Sequence, residues 1–213
     1  YVADSLTYLQ TAKNMLEHGV YSMEISDAPH PDNFRSPLYP AFLLPFLEFK
    51  TSLYIPALFG AVFMSLAAVL VFWLGKKIFE RKTAALGAFL FALEPVGAII
   101  SSQIMSEGLF MLFFIPAIFE LAYFVKSRNR RELFIGTIFL ALSALVRPVA
   151  FWLFLLVPAA IFLADFKWER ARNFGMSLLI FFGVLSPWLF YNAYALGTWK
   201  FSSSSYESSV EAY

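Results

Sequence analysis

Long apolar stretches alternate with short charged connections along most of this chain. A membrane helix needs about 20 mostly apolar residues to cross roughly 30 Å of hydrocarbon. Six stretches reach or approach that length, and we predict a span for each: Leu53 to Leu74, Thr83 to Ile100, Gly108 to Val125, Glu132 to Val146, Val149 to Ala164 and Phe174 to Tyr191.

Only Arg147-Pro148 separates the fourth and fifth stretches, and both are short. One long kinked helix is an alternative interpretation of this pair. It would place Arg147 near the centre of the bilayer, at a cost of at least about 2.5 kcal/mol. We therefore predict a tight hairpin with Arg147 at its turn.

The opening segment, residues 1–52, is too long to be a simple connector. Apolar side chains recur at helical spacing between Leu6 and Leu16, which predicts an amphipathic helix from Ser5 to His18 lying at the membrane interface. The apolar stretch Ala41 to Phe49 is too short to span and predicts a second interfacial or re-entrant helix. The expected organisation is this loop, spans within residues 53–192, and a further outer segment at 193–213.

Composition supports a membrane protein and excludes several other classes. Hydrophobic residues make up 60% of the chain and charged residues 15%, against about 25% charged in ordinary soluble domains. These proportions argue against a soluble domain and exclude a disordered chain. The net charge of +1 does not favour a nucleic-acid partner. The absence of cysteine excludes disulfides and thiolate chemistry. The predicted fold class is an all-α integral membrane protein.

The distribution of basic residues predicts the orientation. By the positive-inside rule, connections rich in Lys and Arg face the cytoplasm. The opening segment, the turn at Ser101 to Glu107, Arg147 and the C-terminal tail would then share the outer face, which requires a span or a cleaved signal before Tyr1. We interpret the chain as a piece of a longer protein. Three connections hold 11 of the 16 basic residues: Lys76 to Lys82, Lys126 to Glu132 and Asp165 to Arg172.

Four ionisable residues are far apart in sequence but are predicted at that same outer surface: Asp4, Arg35, Glu107 and Arg147. Arginine binds phosphate through a planar fork of donors, and a nearby carboxylate can act as general base toward a hydroxyl. Two carboxylates would also be able to hold a divalent cation against the phosphate. The residues predict a site for a lipid-linked anion.

Each of these residues also has a purely structural interpretation, which the sequence leaves open. Asp4 would serve as the N-cap of the following helix, and Arg35 as a headgroup anchor or turn residue. Glu107 would be stabilised at the start of the third span by the helix dipole. Arg147 would belong to a turn at the membrane interface. Glu120, within the third span, is interpreted as structural.

Five short motifs keep their order along nearly the whole chain. They are Asp4-Ser5 followed by Tyr8, Ala12, Asn14, Gly19 and Tyr21; Arg35-Ser36-Pro37-Leu38-Tyr39-Pro40; Ser106-Glu107-Gly108-Leu109-Phe110; Val146-Arg147-Pro148; and Pro187-Trp188 with Asn192. In this order the chain resembles the polytopic GT-C glycosyltransferases, in the branch of protein O-mannosyltransferases and lipid A aminoarabinose transferases. It departs from that pattern at three positions, which are Phe34, Ser36 and Tyr191.

The resemblance implies a fragment of a GT-C-type multi-span helical bundle with interfacial helices in its first outer loop. It implies a polyprenyl- or dolichyl-phosphate sugar as donor, and a lipid, glycan or protein as acceptor, with membrane lipids around the spans. Transfer would occur at the outward face of a bacterial or archaeal plasma membrane. No cofactor is fixed by the resemblance, and a divalent metal ion stays open with no ligand assigned.

The resemblance also assigns roles to residues. It implies that Asp4 is catalytic and that Arg35 and Arg147 hold the donor phosphate. Glu107 matches a second acidic position near the acceptor or a metal. Two further motif residues are assigned to substrate binding, Tyr39 and Asn192.

Two other classes of function remain open from the sequence. A transporter would use broken half-helices with polar groups near the membrane midplane, and Glu94-Pro95 is the one hint of that arrangement. A non-catalytic scaffold or lipid-binding subunit would explain the spans and interfacial helices without any role for Asp4.

Overall fold

A computed structural model describes residues 3–164 and 169–203 of the chain. This part is helical and contains no β-strand, which confirms the predicted all-α class. A short 3-10 turn, Leu153–Leu155, links two of the helices. The helices are α1 (Ala3–Glu17), α2 (Leu38–Glu48), α3 (Tyr54–Ile78), α4 (Arg81–Ala92), α5 (Pro95–Ser101), α6 (Glu107–Ser127), α7 (Arg130–Val146), α8 (Val149–Trp152), α9 (Leu156–Leu163) and α10 (Arg170–Leu196).

All six predicted spans coincide with helical segments. Within the described residues, α3, α6 and α10 are each long and apolar enough to cross a membrane, and α4 with α5 forms a fourth candidate bent by 54°. The bend follows from Pro95, whose ring disfavours helical geometry at Glu94. Helix α7 and the α8–α9 segment are shorter, so the count of six crossings stays a prediction.

The turn at Arg147 is the predicted hairpin. Arg147 is extended (φ −140°, ψ 129°), as expected for a residue before proline. The chain then runs back along α7, because Glu169, just before α10, pairs with Arg130 at the start of α7. The hairpin is therefore confirmed, and it leaves Arg147 at one end of the bundle.

Two leucines of the first helix, Leu6 and Leu16, lie away from its packed face. Tyr8 and Ala12 are buried on the protein side of α1, where α2 covers them. Leu6 and Leu16 are 58% and 40% exposed. The leucines are thus available to a lipid interface, as an amphipathic helix at the membrane surface requires.

The segments predicted to share the outer face meet at one end of the bundle. Tyr8 Oη of α1 and Ser106 Oγ before α6 share a hydrogen bond of 2.9 Å. Ser36 Oγ donates to the carbonyl oxygen of Ala144 near the end of α7, at 3.0 Å. Ser203 N, beyond α10, donates to Asn33 Oδ1 at 3.1 Å. Residues 204–213 of the predicted outer tail lie outside the described part of the chain.

A close approach between α3 and α6 fixes the start of α6 at this end. A Cβ on Gly108 would lie 2.7 Å from the carbonyl oxygen of Gly60, so only glycine fits there. At the opposite end, Lys77 of α3 pairs with Glu120 of α6. The ion pair agrees with the structural interpretation of Glu120, and the two contacts together hold α6 against α3 along its length.

Candidate functional site

Three residues near the start of α1 hold the side chain of Arg35. Arg35 Nη2 donates to Asp4 Oδ1 at 2.5 Å, and its Nε donates to Thr7 Oγ1 at 3.1 Å. The guanidinium carbon lies 4.7 Å from the centroid of the Tyr8 ring, within the range of a cation–π contact. Arg35 is therefore fixed in direction before any ligand arrives.

The N-cap interpretation of Asp4 is wrong. Helix α1 already includes Ala3, so Asp4 lies inside its first turn. Its carboxylate points to Arg35, and the helix dipole favours a negative charge at this position. The side chain of Asp4 is 46% exposed, and no hydrogen bond to its second oxygen, Oδ2, occurs within the described residues.

Buried groups in the loop before α2 set the backbone position of Arg35. Tyr21 Oη donates to the carbonyl oxygens of Arg35 and Ser36, at 2.9 and 3.1 Å. Asp32 accepts from the backbone N–H of Met23 at 2.7 Å and of Phe34 at 3.1 Å. Burial raises the pKa of Asp32, although these N–H donors oppose the rise. Sequence reasoning missed Asp32. The available signal was that an Asp side chain commonly accepts from the backbone N–H two residues on, here that of Phe34.

A second ion pair joins the start of α6 to the end of α7. Arg147 Nη1 donates to Glu107 Oε1, and the side chains of Arg147 and Glu107 are 35% and 21% exposed. The other carboxylate oxygen, Glu107 Oε2, is buried and has no hydrogen-bond partner in the described part of the chain. Glu107 therefore orients Arg147 as Asp4 orients Arg35.

The two arginines line one cavity of about 710 Å³. Asp4 and Glu107 are not among its lining residues, and each pairs with one of the two arginines. The structure thus brings all four charged residues that the sequence singled out to one cavity, as two ion pairs whose arginines are lining residues. The other lining residues are Tyr8, Phe34, Ser36, Pro148, Phe151, Trp152, Trp199, Lys200, Phe201, Ser202 and Ser203.

Tyr39 and Asn192 do not reach this cavity. Tyr39 is 2% exposed and packs edge-on against Tyr8, with ring centroids 4.9 Å apart. Burial raises its pKa well above the usual value. Asn192 is fully buried, and its Nδ2 donates to the carbonyl oxygen of Lys200 at 2.9 Å. Both side chains support residues of the wall, and a direct role in substrate binding stays a prediction for each.

Sequence reasoning also missed part of the wall. Trp199 and Lys200 reach the cavity because Gly197, with φ of +65°, ends α10 and turns the chain back. Phe151 and Trp152 reach it from α8, directly after the Arg147 turn. The available signal was Gly197-Thr198-Trp199-Lys200 at the end of the last span. This pattern predicts that the helix ends there but does not predict where the following segment goes.

The donor set among the described residues does not fit a resident divalent cation. Within residues 3–164 and 169–203, no three His, Asp or Glu side chains cluster as metal ligands. Asp4 and Glu107 each hold a guanidinium, which a cation would have to displace.

The broken helix pair is not built like a transporter site in the described structure. The Glu94 carboxylate accepts from the backbone N–H of Val96 at 3.0 Å and from that of Gly97, both in α5. It thereby caps its own following helix. The remaining polar candidates gather at one end of the bundle instead of at its middle.

Comparison with known proteins adds one finding to this geometry. A family model described as dolichyl-phosphate-mannose-protein mannosyltransferase matches residues 35–191, about three quarters of the chain. The matched range includes Arg35, Glu107 and Arg147, and it leaves out Asp4 and Lys200. Comparisons with curated proteins and with solved structures give no match.

Proposed function

The chain belongs to the dolichyl-phosphate-mannose-protein mannosyltransferase family, and from this premise we propose that it moves a sugar from a polyprenyl-phosphate donor to an acceptor hydroxyl at the extracytoplasmic face. Membership makes it a membrane glycosyltransferase of the mannosyltransferase type. The donor, the acceptor and the side of the membrane belong to the proposal. One observation carries it: Arg35 and Arg147, from distant parts of the sequence, line the same cavity.

The donor phosphate binds between these two arginines. Hydrogen bonds between guanidinium and phosphate are charge-assisted and can be bidentate, which fixes the phosphate in position and direction. Asp4 and Glu107 hold the arginines in place without entering the wall. The electrostatic stabilisation is therefore already oriented before reaction, which is the arrangement that lowers a barrier most effectively.

The aromatic side of the cavity suits the lipid part of the donor. Phe151 and Trp152 form this side, and Trp152 and Leu155 are each 72% exposed on the outside of the bundle. They continue the apolar surface from the cavity toward the surrounding lipid. The isoprenoid chain leaves the cavity along this surface, while the phosphate stays with the arginines.

Transfer proceeds by a single displacement at the sugar C1. The acceptor oxygen attacks C1 as the bond from C1 to the phosphate oxygen breaks, and the electron pair of that bond stays on the phosphate. Asp4 takes the acceptor proton through Oδ2, the oxygen that does not face Arg35. Because one displacement occurs, the configuration at C1 inverts.

Purified full-length protein tests this proposal directly. Incubated with a radiolabelled polyprenyl-phosphate mannose and a cell-envelope fraction as acceptor, it is expected to transfer the label. A nucleotide-linked mannose, offered in parallel, should be left intact. Consumption of the nucleotide sugar, or failure to use the lipid-linked one, would contradict the proposed donor. A non-catalytic scaffold would leave both donors unchanged.

The proposed orientation has its own test. Because the sequence has no cysteine, a single introduced thiol in this chain reports its own accessibility. In intact cells, a membrane-impermeant maleimide is expected to label a Ser26→Cys variant in the opening loop and not a Ser127→Cys variant at the end of α6. Permeabilised cells should label both, which controls for local burial. The reverse pattern in intact cells would place the arginine cavity on the cytoplasmic side.

A further inference from the structure

Tyr8 of α1 makes two specific contacts at the cavity that the arginines line, and it is itself a lining residue. Its ring centroid lies 4.7 Å from the guanidinium carbon of Arg35. Its hydroxyl shares a hydrogen bond of 2.9 Å with Ser106 Oγ, 98 residues further along the chain. Tyr8 and Ser106 are 4% and 1% exposed, so this bond is shielded from water. One buried side chain thus joins the support of Arg35 to the start of α6.

The hydroxyl of Ser106 is not used to cap its own helix. Ser106 directly precedes α6, where a serine side chain commonly accepts from an N–H of the first turn. Here its backbone is helical (φ −75°, ψ −10°), and its side chain makes no such capping bond. The hydroxyl bonds to Tyr8 instead. The side chain of Ser106 therefore ties α6 to α1.

The first turn of α6, which begins at this tie, holds Arg147 from two positions. Glu107 accepts from Arg147 Nη1, and the Phe110 ring centroid lies 6.0 Å from the guanidinium carbon of Arg147. The backbone N–H of Phe110 donates to the carbonyl oxygen of Ser106 at 2.8 Å. The residue that Tyr8 binds is thus part of the same turn as both contacts of Arg147, and a shift of Ser106 would move that turn.

We propose that Tyr8 is a positioning residue that fixes the two arginines relative to each other. Its ring supports Arg35 directly, and its hydroxyl acts on Arg147 through Ser106 and the first turn of α6. This inference rests on the proposed function, in which one phosphate binds to both arginines. Contacts between guanidinium and phosphate demand a defined geometry, so the phosphate binds more weakly when either arginine shifts.

Single substitutions separate the two contacts of Tyr8. Tyr8→Phe keeps the ring beside Arg35 and removes the hydroxyl. We expect it to weaken binding of polyprenyl-phosphate mannose about 2- to 12-fold, the range for a neutral hydrogen bond. Ser106→Ala removes the other half of the same bond and should have an equal effect. Tyr8→Leu also removes the ring and should bind the donor about 2-fold more weakly still, or worse. The measurement is equilibrium binding of labelled donor to purified full-length protein.

The double variant Tyr8→Phe/Ser106→Ala distinguishes positioning from packing. Each single variant leaves one buried hydroxyl without a partner, which lowers stability. The double variant leaves neither, so its unfolding temperature should recover toward that of the parent. Its donor affinity should stay as low as in either single variant, because the tie between α1 and α6 is still missing. Recovery of affinity together with stability would overturn the positioning role.

The arginine variants show which arginine the hydroxyl acts through. In an Arg147→Ala background, Tyr8→Phe should cause no further loss of donor affinity, because the residue that it positions is already gone. In an Arg35→Ala background, it should cause its full loss of about 2- to 12-fold. Equal losses in the two backgrounds would contradict a path through α6.

A matched control is Tyr54→Phe, which removes the hydroxyl of a tyrosine that is 84% exposed at the start of α3 and does not line the cavity. It should leave donor binding unchanged. Equal donor affinity in Tyr8→Phe and the parent would overturn the role of Tyr8 and leave the proposed function standing. A parent protein that binds no polyprenyl-phosphate mannose would overturn the proposed function, and this inference with it.

Discussion

Replacing Arg35 or Arg147 by alanine is expected to weaken binding of the polyprenyl-phosphate donor about 10- to 150-fold. The range follows from the 1.5–3 kcal/mol that a hydrogen bond to a charged group typically contributes. Arg147→Lys should recover only part of the loss, because an ammonium group lacks the planar fork of donors. The measurement is equilibrium binding of a labelled donor to purified protein, with thermal unfolding in detergent followed on the same samples.

The two alanine variants differ in their expected stability. Arg35→Ala leaves Asp4 without its partner, but Asp4 is 46% exposed and remains hydrated. The cost of leaving this carboxylate unpaired should stay within about 1 kcal/mol. Arg147→Ala leaves Glu107, which is 21% exposed and has one buried oxygen already without a partner. We expect the second variant to unfold at a lower temperature than the first.

Arg131→Ala is a suitable control, because Arg131 is exposed near the start of α7, at the opposite end of the bundle. It should bind the donor as the parent does. Donor affinities within a factor of two for both Arg35→Ala and Arg147→Ala would remove these residues from the site, and with them the observation on which the proposed function rests.

Hydrophobic periodicity was enough to place the helices, since a membrane span is defined by a local run of apolar residues. The bend at Glu94-Pro95 and the turn at Arg147-Pro148 are likewise local, because proline restricts the residue before it. The alternation of charged connections along the chain was enough to predict that four residues lie at one end of the bundle: Asp4, Arg35, Glu107 and Arg147. The sequence did not predict which of these residues form ion pairs, because pairing depends on side-chain geometry across helices.

The failure of the N-cap alternative for Asp4 has a physical cause. An acidic residue just before an amphipathic pattern is a common N-cap, and nothing in the local sequence shows that the helix starts earlier. The partner that decides its role, Arg35, is 31 residues away. Lys200 was missed for a similar reason: its place in the cavity depends on amide donors from Asn33 and Asn192, at distant points of the chain.

Asp4→Asn is expected to reduce sugar transfer about 10²- to 10⁴-fold, the contribution typical of a general base. The amide removes the group that accepts the proton but keeps the size of the side chain and an oxygen that can accept from Arg35 Nη2. Stability should stay within about 1 kcal/mol of the parent, because the ion pair is partly exposed. The measurement is single-turnover transfer from polyprenyl-phosphate mannose, alongside donor binding and thermal unfolding.

The same variant distinguishes a base from a residue that only positions Arg35. If Asp4 merely orients the guanidinium, Asp4→Asn should weaken donor binding, and transfer at saturating donor should recover. If Asp4 is the base, donor affinity should change about 3-fold or less while the rate at saturation stays low. Glu17→Gln, an acid-to-amide change on the same helix in the exposed pair with Lys13, should alter neither quantity. Parental transfer by Asp4→Asn at saturating donor would end the catalytic role of Asp4 and leave it as the residue that holds Arg35.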